Sequence, residues 1–251
     1  MPRYRLTLEY DGRGFVGWQR QDNGLGVQQA IEDAVRAFCG EVVTVQGAGR
    51  TDSGVHALAQ VAHLDLEKEW DADTIRDALN AHLKKIPASV LDVVVKPSTF
   101  HARFSALERS YRYRIVNRRA PLTMDVGLAW WVPARLDSAA MADAAAVLVG
   151  THDFTSFRAS ECQAKSPVKT IDELKVEATG KEIHVSARAR SFLHHQVRNI
   201  VGSLAWIGDG KWTCAQLRDA LAAKDRRAGG PTAPADGLYL TGVRYSETTE
   251  A

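Results

Sequence analysis

The sequence predicts an α+β protein made of two ferredoxin-like (βαββαβ-type) halves with a largely antiparallel central sheet. Segments whose apolar residues alternate with period two recur between segments with helical spacing, which is typical of mixed strands and helices. Over roughly the first hundred residues, the segments follow the order β-α-β-β-α-β, which is the split βαβ arrangement. A second series follows in a similar order, and we divide the 251 residues into halves at 1–104 and 105–251.

The first half contains all six elements of this arrangement. Residues 4–10 alternate between apolar and polar side chains, which indicates a half-buried strand. Apolar residues spaced three or four apart predict a helix over 27–38, and Asp71 is the expected N-cap of a second helix. The remaining strands are predicted at 42–46, 60–66 and 90–96.

The second half repeats the element order without obvious sequence identity to the first. Its strands are predicted at 111–117, 169–178, 182–190 and 238–245. Its helices are predicted at 138–149, at 192–207 and from about residue 213 onward, with Gly150 ending the first of them.

Composition excludes several classes of protein. The chain is 45% hydrophobic and 25% charged, as in ordinary globular proteins, and no apolar run approaches the roughly 20 residues of a membrane span. The first residues lack the apolar segment of a signal peptide. Three cysteines without CxxC spacing are typical of a reducing cytosol and argue against a disulfide framework or a zinc knuckle. A net charge of +2 permits an anionic partner without requiring one.

Two motifs suggest ligand sites that their context does not support. Residues 12–17, GRGFVG, match the G-x-G-x-x-G pattern after a strand, but the next predicted helix begins only near Val27. Dinucleotide binding needs a helix N-terminus within the motif, so we interpret this segment as a turn. His194 and His195 are adjacent and have no second ligand cluster in the sequence, so a zinc site is not indicated.

The segment GAGRTDSGVHALAQVAH, from Gly47 to His63, holds one carboxylate, Asp52, on a glycine-flanked bend. No other acid lies between Glu41 and Asp65, so the paired carboxylates of a glycosidase are not indicated. Ser53 lacks the context of a nucleophile elbow. Taken alone, the residues TDSG also fit a simple surface turn.

The whole run GRTDSGVHA, however, resembles the active-site signature of the tRNA pseudouridine synthase A family. Five further blocks resemble that family in the same order and extend the likeness over essentially the whole chain. They are EYDGRGFVGWQRQ (9–21), FHARFSALERSYRYRI (100–115), HDFTSFRA (152–159), SFLHHQVRNIVGSL (191–204) and APADGLYLTGVRY (233–245).

The resemblance implies the pseudouridine synthase fold and the isomerisation of uridine to pseudouridine in tRNA. It implies targets at positions 38 to 40 of the anticodon arm, a cytoplasmic homodimer, and a reaction without cofactor or metal.

The resemblance also implies a role for each of five residues. Asp52 is expected to be the nucleophile, and Arg50 to hold the flipped nucleotide. Tyr111 is expected to stack on the target base and to act as a general base. Arg198 is expected to pair with the aspartate, and Leu238 to pack beneath the base. Periodicity alone does not distinguish Tyr111 from Tyr113, which shares its face of the strand.

The chemistry agrees with a lone acid. Isomerisation adds nothing and removes nothing, so one nucleophilic carboxylate suffices.

Two other classes of function stay open. A non-catalytic RNA-binding module is disfavoured because no aromatic RNP1-type strand is present. A nucleoside hydrolase is disfavoured because the sequence shows neither a second acid nor an Asp-rich metal site.

Overall fold

The computed structural model describes residues 1–246 and confirms the α+β prediction with a largely antiparallel arrangement of strands. Ten strands and five helices lie within these residues. The strands are β1 (Arg3–Tyr10), β2 (Gln46–Gly47), β3 (His56–Asp65), β4 (Ala88–Lys96), β5 (Glu108–Asn117), β6 (Trp130–Val132), β7 (Gly150–Asp153), β8 (Val168–Thr179), β9 (Glu182–Ala189) and β10 (Leu238–Arg244). The helices are α1 (Val27–Cys39), α2 (Ala72–Leu83), α3 (Ser138–Ala145), α4 (Gln196–Gly208) and α5 (Cys214–Ala223).

The chain forms two compact units. The first contains Met1–Arg109 and the described part of Tyr239–Ala251, and the second contains Ser110–Leu238. The chain passes from one unit to the other within β5 and returns at the start of β10. The last strand is predicted from the sequence to belong to the second half, whereas almost all of β10 belongs to the first unit.

The first unit has the ferredoxin-like strand order. Its strands follow the order β4-β1-β3, and β2 pairs with the other side of β3. Strand β3 therefore lies between β1 and β2, and β1 lies between β3 and β4, which splits both βαβ units. β1 runs antiparallel to both of its neighbours. β10 adds a short parallel pairing at the beginning of β3.

The predicted periodicities of this unit are confirmed. Alternate residues of β1 are buried, namely Tyr4, Leu6, Leu8 and Tyr10. In α1 the buried side includes Ile31 and Val35, and in α2 it includes Ile75 and Leu79. The Asp71 side chain accepts a hydrogen bond from the Thr74 amide at 3.1 Å, so it is the N-cap of α2.

The predicted strand at 42–46 is wrong, because β2 contains only Gln46 and Gly47. The Val45 amide donates to the Glu32 carboxylate of α1 at 3.1 Å, which occupies a donor that a strand would need. Val42 is 84% exposed. A valine-rich run has high strand propensity, but it needs a neighbouring strand with which to pair.

The second unit contains a sheet in the order β5-β9-β8-β7, with β6 parallel to β5. β8 and β9 form an antiparallel hairpin, and α3 packs on β8 and α4. Strands β6 and β7 are not predicted from the sequence, because they have three and four residues and are too short to show a clear period of two.

Helix α4 begins at Gln196 rather than near residue 192. His195 has φ of +61°, a left-handed conformation that a helix cannot contain, and it therefore ends the preceding turn. The Leu193 amide donates to Oε1 of Gln196 at 2.7 Å, and the Gln196 amide donates to the Leu193 carbonyl at 3.0 Å.

Among the described residues, no helix combines the length and the apolar character that a membrane span requires.

We expect Asn80 to stabilise the terminal strand β4. Its Nδ2 donates to the Val90 carbonyl and its Oδ1 accepts from the Val90 amide, both at 2.8 Å. Asn80→Ala leaves both groups of a buried residue without these partners, which is expected to cost about 1–3 kcal/mol of the free energy of unfolding. Urea denaturation measures the change, and Asn23→Ala, at an exposed loop position, is the control. Equal stability of the two variants would contradict the role.

Candidate active site

Asp52 is the first residue of a tight turn that leads into β3. The Val55 amide donates to the Asp52 carbonyl at 3.1 Å, and Gly54 has φ of +80°. A positive φ at the third position of a turn favours glycine and is typical of type II turns. Asp52 is half-buried, and Ser53 beside it is exposed. The TDSG run is therefore a turn, and it presents one partly accessible carboxylate.

Hydrogen bonds hold the backbone on both sides of Asp52. The hydroxyls of the buried Thr51 and Tyr10 lie 2.8 Å apart, and the Trp18 amide donates to the Thr51 carbonyl at 3.0 Å. On the other side, Ser53 Oγ donates to the Phe15 carbonyl at 3.1 Å. These contacts fix the position from which the carboxylate extends, as a reactive group requires.

Gly17 allows the preceding loop to approach this turn closely. It has φ of +116°, and a Cβ placed on it would lie 2.9 Å from the Thr51 carbonyl oxygen. The GRGFVG motif is a short 3-10 turn followed by a loop, and α1 begins only at Val27, as the sequence analysis expected. Gly17, the last glycine of the motif, thus lets the loop pack closely against the Asp52 turn. The hydrophobic periodicity of the sequence does not reveal this contact.

A buried polar group lies beneath the turn. Gln60 is fully buried, and its Nε2 donates to the Gly49 carbonyl at 2.8 Å and to the Tyr10 hydroxyl at 3.4 Å. Burial raises the pKa of Tyr10 to about 12, so its hydroxyl stays protonated near neutral pH. Neither Gln60 nor Tyr10 is predicted from the sequence to support the turn, because both residues lie in regular strands.

Arg50 and His56 flank the turn in different environments. Arg50 is exposed and makes no hydrogen bond or ion pair with another described residue. His56 is 2% exposed, its Nδ1 accepts from the Gly12 amide at 3.0 Å, and its ring stacks on Tyr239 at 4.6 Å. His56 therefore supports the start of β3, whereas Arg50 is accessible to a ligand.

The second unit distinguishes the two tyrosines of β5. Tyr113 is fully buried and its hydroxyl donates to the Pro234 carbonyl at 2.7 Å; burial raises its pKa well above the usual range. Tyr111 is only half-buried, and its ring meets that of Phe192 edge-on at 5.2 Å. Tyr113 is a core residue, and Tyr111 has the accessibility that a base-stacking residue needs.

Arg198 lies in the first turn of α4 and is anchored to the segment before β10. Its Nε donates to the Ala233 carbonyl at 2.8 Å, and the Ala233 amide donates to the Arg198 carbonyl at 3.1 Å. Thr232 donates to the Asn199 side chain at 2.6 Å. Leu238, the buried first residue of β10, follows the same segment after a 3-10 turn.

The five predicted residues are thus divided between the units. Asp52 and Arg50 belong to the first unit, and Tyr111, Arg198 and Leu238 belong to the second.

The comparisons with known proteins cover both groups of residues. The family described as tRNA pseudouridine synthase matches residues 7–105 and 144–246. The first range includes Asp52 and Arg50, and the second includes Arg198 and Leu238. Tyr111 lies between the two ranges.

Several curated relatives are similar over nearly their full lengths, and each is named tRNA pseudouridine synthase A. A protein of Rhodospirillum rubrum is 62% identical over 251 residues, covering 100% of this chain and 90% of its own. One of Paramagnetospirillum magneticum is 60% identical, covering 98% of this chain and 96% of its own. One of Beijerinckia indica subsp. indica is 60% identical, covering 100% and 96% respectively.

Proposed function

Since the chain belongs to the tRNA pseudouridine synthase family, we propose that it isomerises uridine to pseudouridine in tRNA, with Asp52 as the nucleophile. The observation that carries the proposal is the half-buried carboxylate on a turn whose backbone is hydrogen-bonded on both sides. A partly accessible carboxylate on a backbone that is held by buried hydrogen bonds suits attack on a bound nucleotide.

The reaction requires one nucleophile and no added reactant. The N-glycosidic bond between the sugar carbon and N1 of the uracil breaks, the uracil turns, and a new bond forms between the same sugar carbon and C5 of the base. C5 loses its hydrogen as a proton and N1 gains a proton, so the composition of the nucleotide is unchanged. A second carboxylate that activated water would instead release the base. Because the target lies within stacked RNA, the nucleotide is extruded into the site at a cost of a few kcal/mol.

The finer features of this proposal rest on the sequence resemblance. The targets are uridines at positions 38 to 40 of the anticodon arm, and the reaction uses no cofactor or metal. The enzyme acts in the cytoplasm as a homodimer.

Each of the other four residues has a role in the proposal. The exposed Arg50 holds the flipped nucleotide through its phosphate or sugar. Tyr111 stacks on the target base and accepts a proton, Arg198 pairs with the nucleophile, and Leu238 packs beneath the base. The half-buried position of Tyr111 and the anchored guanidinium of Arg198 support these assignments.

Asp52→Asn is expected to abolish pseudouridine formation and to leave tRNA binding within a few-fold of the parent. The amide keeps the size of the side chain but cannot act as the nucleophile. Release of tritium from tRNA labelled at uridine C5 measures turnover. Asp172→Asn, at an exposed position of β8, is the matched control and should retain activity. Substantial turnover by verified Asp52→Asn protein would remove Asp52 from its role.

The same assay on the parent protein separates the three classes of function. Exchange of the C5 hydrogen with retention of the base identifies the isomerase. Release of free uracil identifies a hydrolase, and binding without either product identifies a non-catalytic RNA-binding module.

Tyr111→Phe and Tyr111→Ala are expected to separate stacking from proton transfer. Phenylalanine keeps a stacking face, whose loss costs about 1–3 kcal/mol per base, but it lacks the hydroxyl. We therefore expect Tyr111→Phe to bind tRNA as the parent does and to turn over very poorly, whereas Tyr111→Ala loses both properties. Tyr113→Phe, which removes the bond to Pro234, should mainly lower the free energy of unfolding. Near-normal turnover by Tyr111→Phe would exclude the general-base role.

Arg198→Lys is expected to retain more single-turnover activity than Arg198→Met. Lysine keeps a positive charge but not the planar fork of the guanidinium, and methionine keeps neither. Loss of a hydrogen bond to a charged group costs about 1.5–3 kcal/mol, so the methionine variant should be slower by roughly 10- to 150-fold. Thermal unfolding controls for the lost bond to Ala233. Equal activity of both variants, with both folded, would show that the charge of Arg198 does not matter.

A further inference from the structure

The loop between β4 and β5 in the first unit exposes an aromatic ring. Phe104 is 72% exposed, although a phenylalanine side chain is usually buried. Nearby residues of the same loop, Phe100, Ala102 and Ala106, are buried in a core cluster. The loop therefore packs these three side chains inward and leaves the ring of Phe104 accessible, together with part of Leu107, which is 44% exposed.

The backbone of this loop is held in one conformation. The Ser105 amide donates to the His101 carbonyl at 2.9 Å, and the Arg103 amide donates to Nδ1 of His101 at 3.1 Å. The Ala102 carbonyl accepts from the Tyr245 hydroxyl at 2.7 Å, and the Ala102 amide donates to Nδ1 of His63 at 3.2 Å. Burial lowers the pKa of His63 to about 4, so the ring is neutral and its Nδ1 accepts at neutral pH.

Arg109 connects this loop to the segment that leads into the Asp52 turn. Its buried guanidinium donates to the Arg103 carbonyl at 2.6 Å and to the Ala48 carbonyl at 2.7 Å. Ala48 lies four residues before Asp52. The exposed ring is thus carried by a loop that shares an anchor with the candidate active site.

The ring of Phe104 is supported on one side and carries a cation beside it. It packs on the His101 ring at 4.4 Å with an angle of 38° between the planes, and the Arg103 guanidinium lies 5.8 Å from its centre. Burial and the charges of Arg3 and Arg103 lower the pKa of His101, so the supporting ring is uncharged at neutral pH.

The charge of the loop favours an anionic partner. Residues 97–107 contain no aspartate, glutamate or lysine, and the exposed Arg103 is the residue among them that carries a charge at neutral pH. An aromatic ring with an adjacent arginine matches a nucleotide, because the base stacks on the ring and the phosphate pairs with the guanidinium. An acidic peptide would engage the cation and leave the ring exposed.

We propose that Phe104 and Arg103 form a second RNA-binding contact, in which Phe104 stacks on a base of the tRNA other than the isomerised uracil and Arg103 binds a neighbouring phosphate. The proposal rests on the proposed activity toward tRNA and adds a positioning contact outside the reaction centre. Because hydrogen bonds already order the loop, little conformational entropy of the loop is lost when tRNA binds.

Substitutions at Phe104 test the stacking role. We expect Phe104→Ala and Phe104→Leu to raise the Kd for tRNA by about 5- to 150-fold, the effect of losing one stacked base. Phe104→Trp keeps a ring and should stay within a few-fold of the parent. The turnover rate at saturating tRNA should change little, because the contact lies outside the reaction centre. Met124→Ala, at a residue that is 87% exposed in the second unit, is the matched control and should bind normally.

The salt dependence of binding distinguishes the two side chains. Arg103→Gln removes one phosphate contact and should lower the slope of log K against log salt by about 0.7–0.9, whereas Phe104→Ala should leave the slope unchanged. Thermal unfolding of the Phe104 variants should match the parent, since the ring is exposed.

Three results would overturn the inference: a parent-like Kd for Phe104→Ala, a leucine variant that binds as well as the tryptophan variant, or an unchanged salt slope for Arg103→Gln. If the parent isomerises uridine and Phe104→Ala binds normally, only this inference fails. If the parent binds tRNA without isomerising it, the proposed activity fails, and the binding measurements still decide the role of Phe104.

Discussion

Thr51, Tyr10 and Gln60 form a buried hydrogen-bonded group on which the geometry of the Asp52 turn depends. A carboxylate on an unsupported loop would sample many positions, and each residue fixed in one conformation costs about 1–2 kcal/mol of entropy. Here the turn is already ordered when the protein folds, because buried polar groups whose hydrogen bonds are all satisfied specify one arrangement. The side chain of Asp52 extends from a backbone that is already in place before a substrate binds.

The ferredoxin-like order of the first unit brings this group together. β1 and β3 are distant in the chain but adjacent in the sheet, and Leu8 lies opposite Gln60. The register shifts between Leu8 and Tyr10, so that Tyr10 pairs with Ala57. Such an irregularity bends a strand and redirects its side chains. This register shift lies next to Tyr10, whose hydroxyl forms a hydrogen bond with Thr51.

Buried hydrogen bonds also order the loop between β4 and β5, and here Arg109 is the donor. A buried guanidinium needs several acceptors, and this one reaches the carbonyls of Ala48, Arg103 and Ala106. Two loops that are far apart in the sequence are therefore joined through one side chain. One holds the segment before Asp52, and the other presents Phe104, so a shift in either loop would strain the hydrogen bonds of Arg109.

The sequence by itself determined the α+β class, the order of elements in the first unit, the N-cap at Asp71 and the family, because these follow from local periodicity and contiguous motifs. Only the tertiary structure decided which of Tyr111 and Tyr113 is accessible, where α4 begins, and that Gly17 lies against Thr51. It also replaced the predicted strand at 42–46 with a segment whose Val45 amide bonds to Glu32. These features depend on partners distant in the chain, and a local pattern carries no information about which partner a polar group will find once the chain is folded.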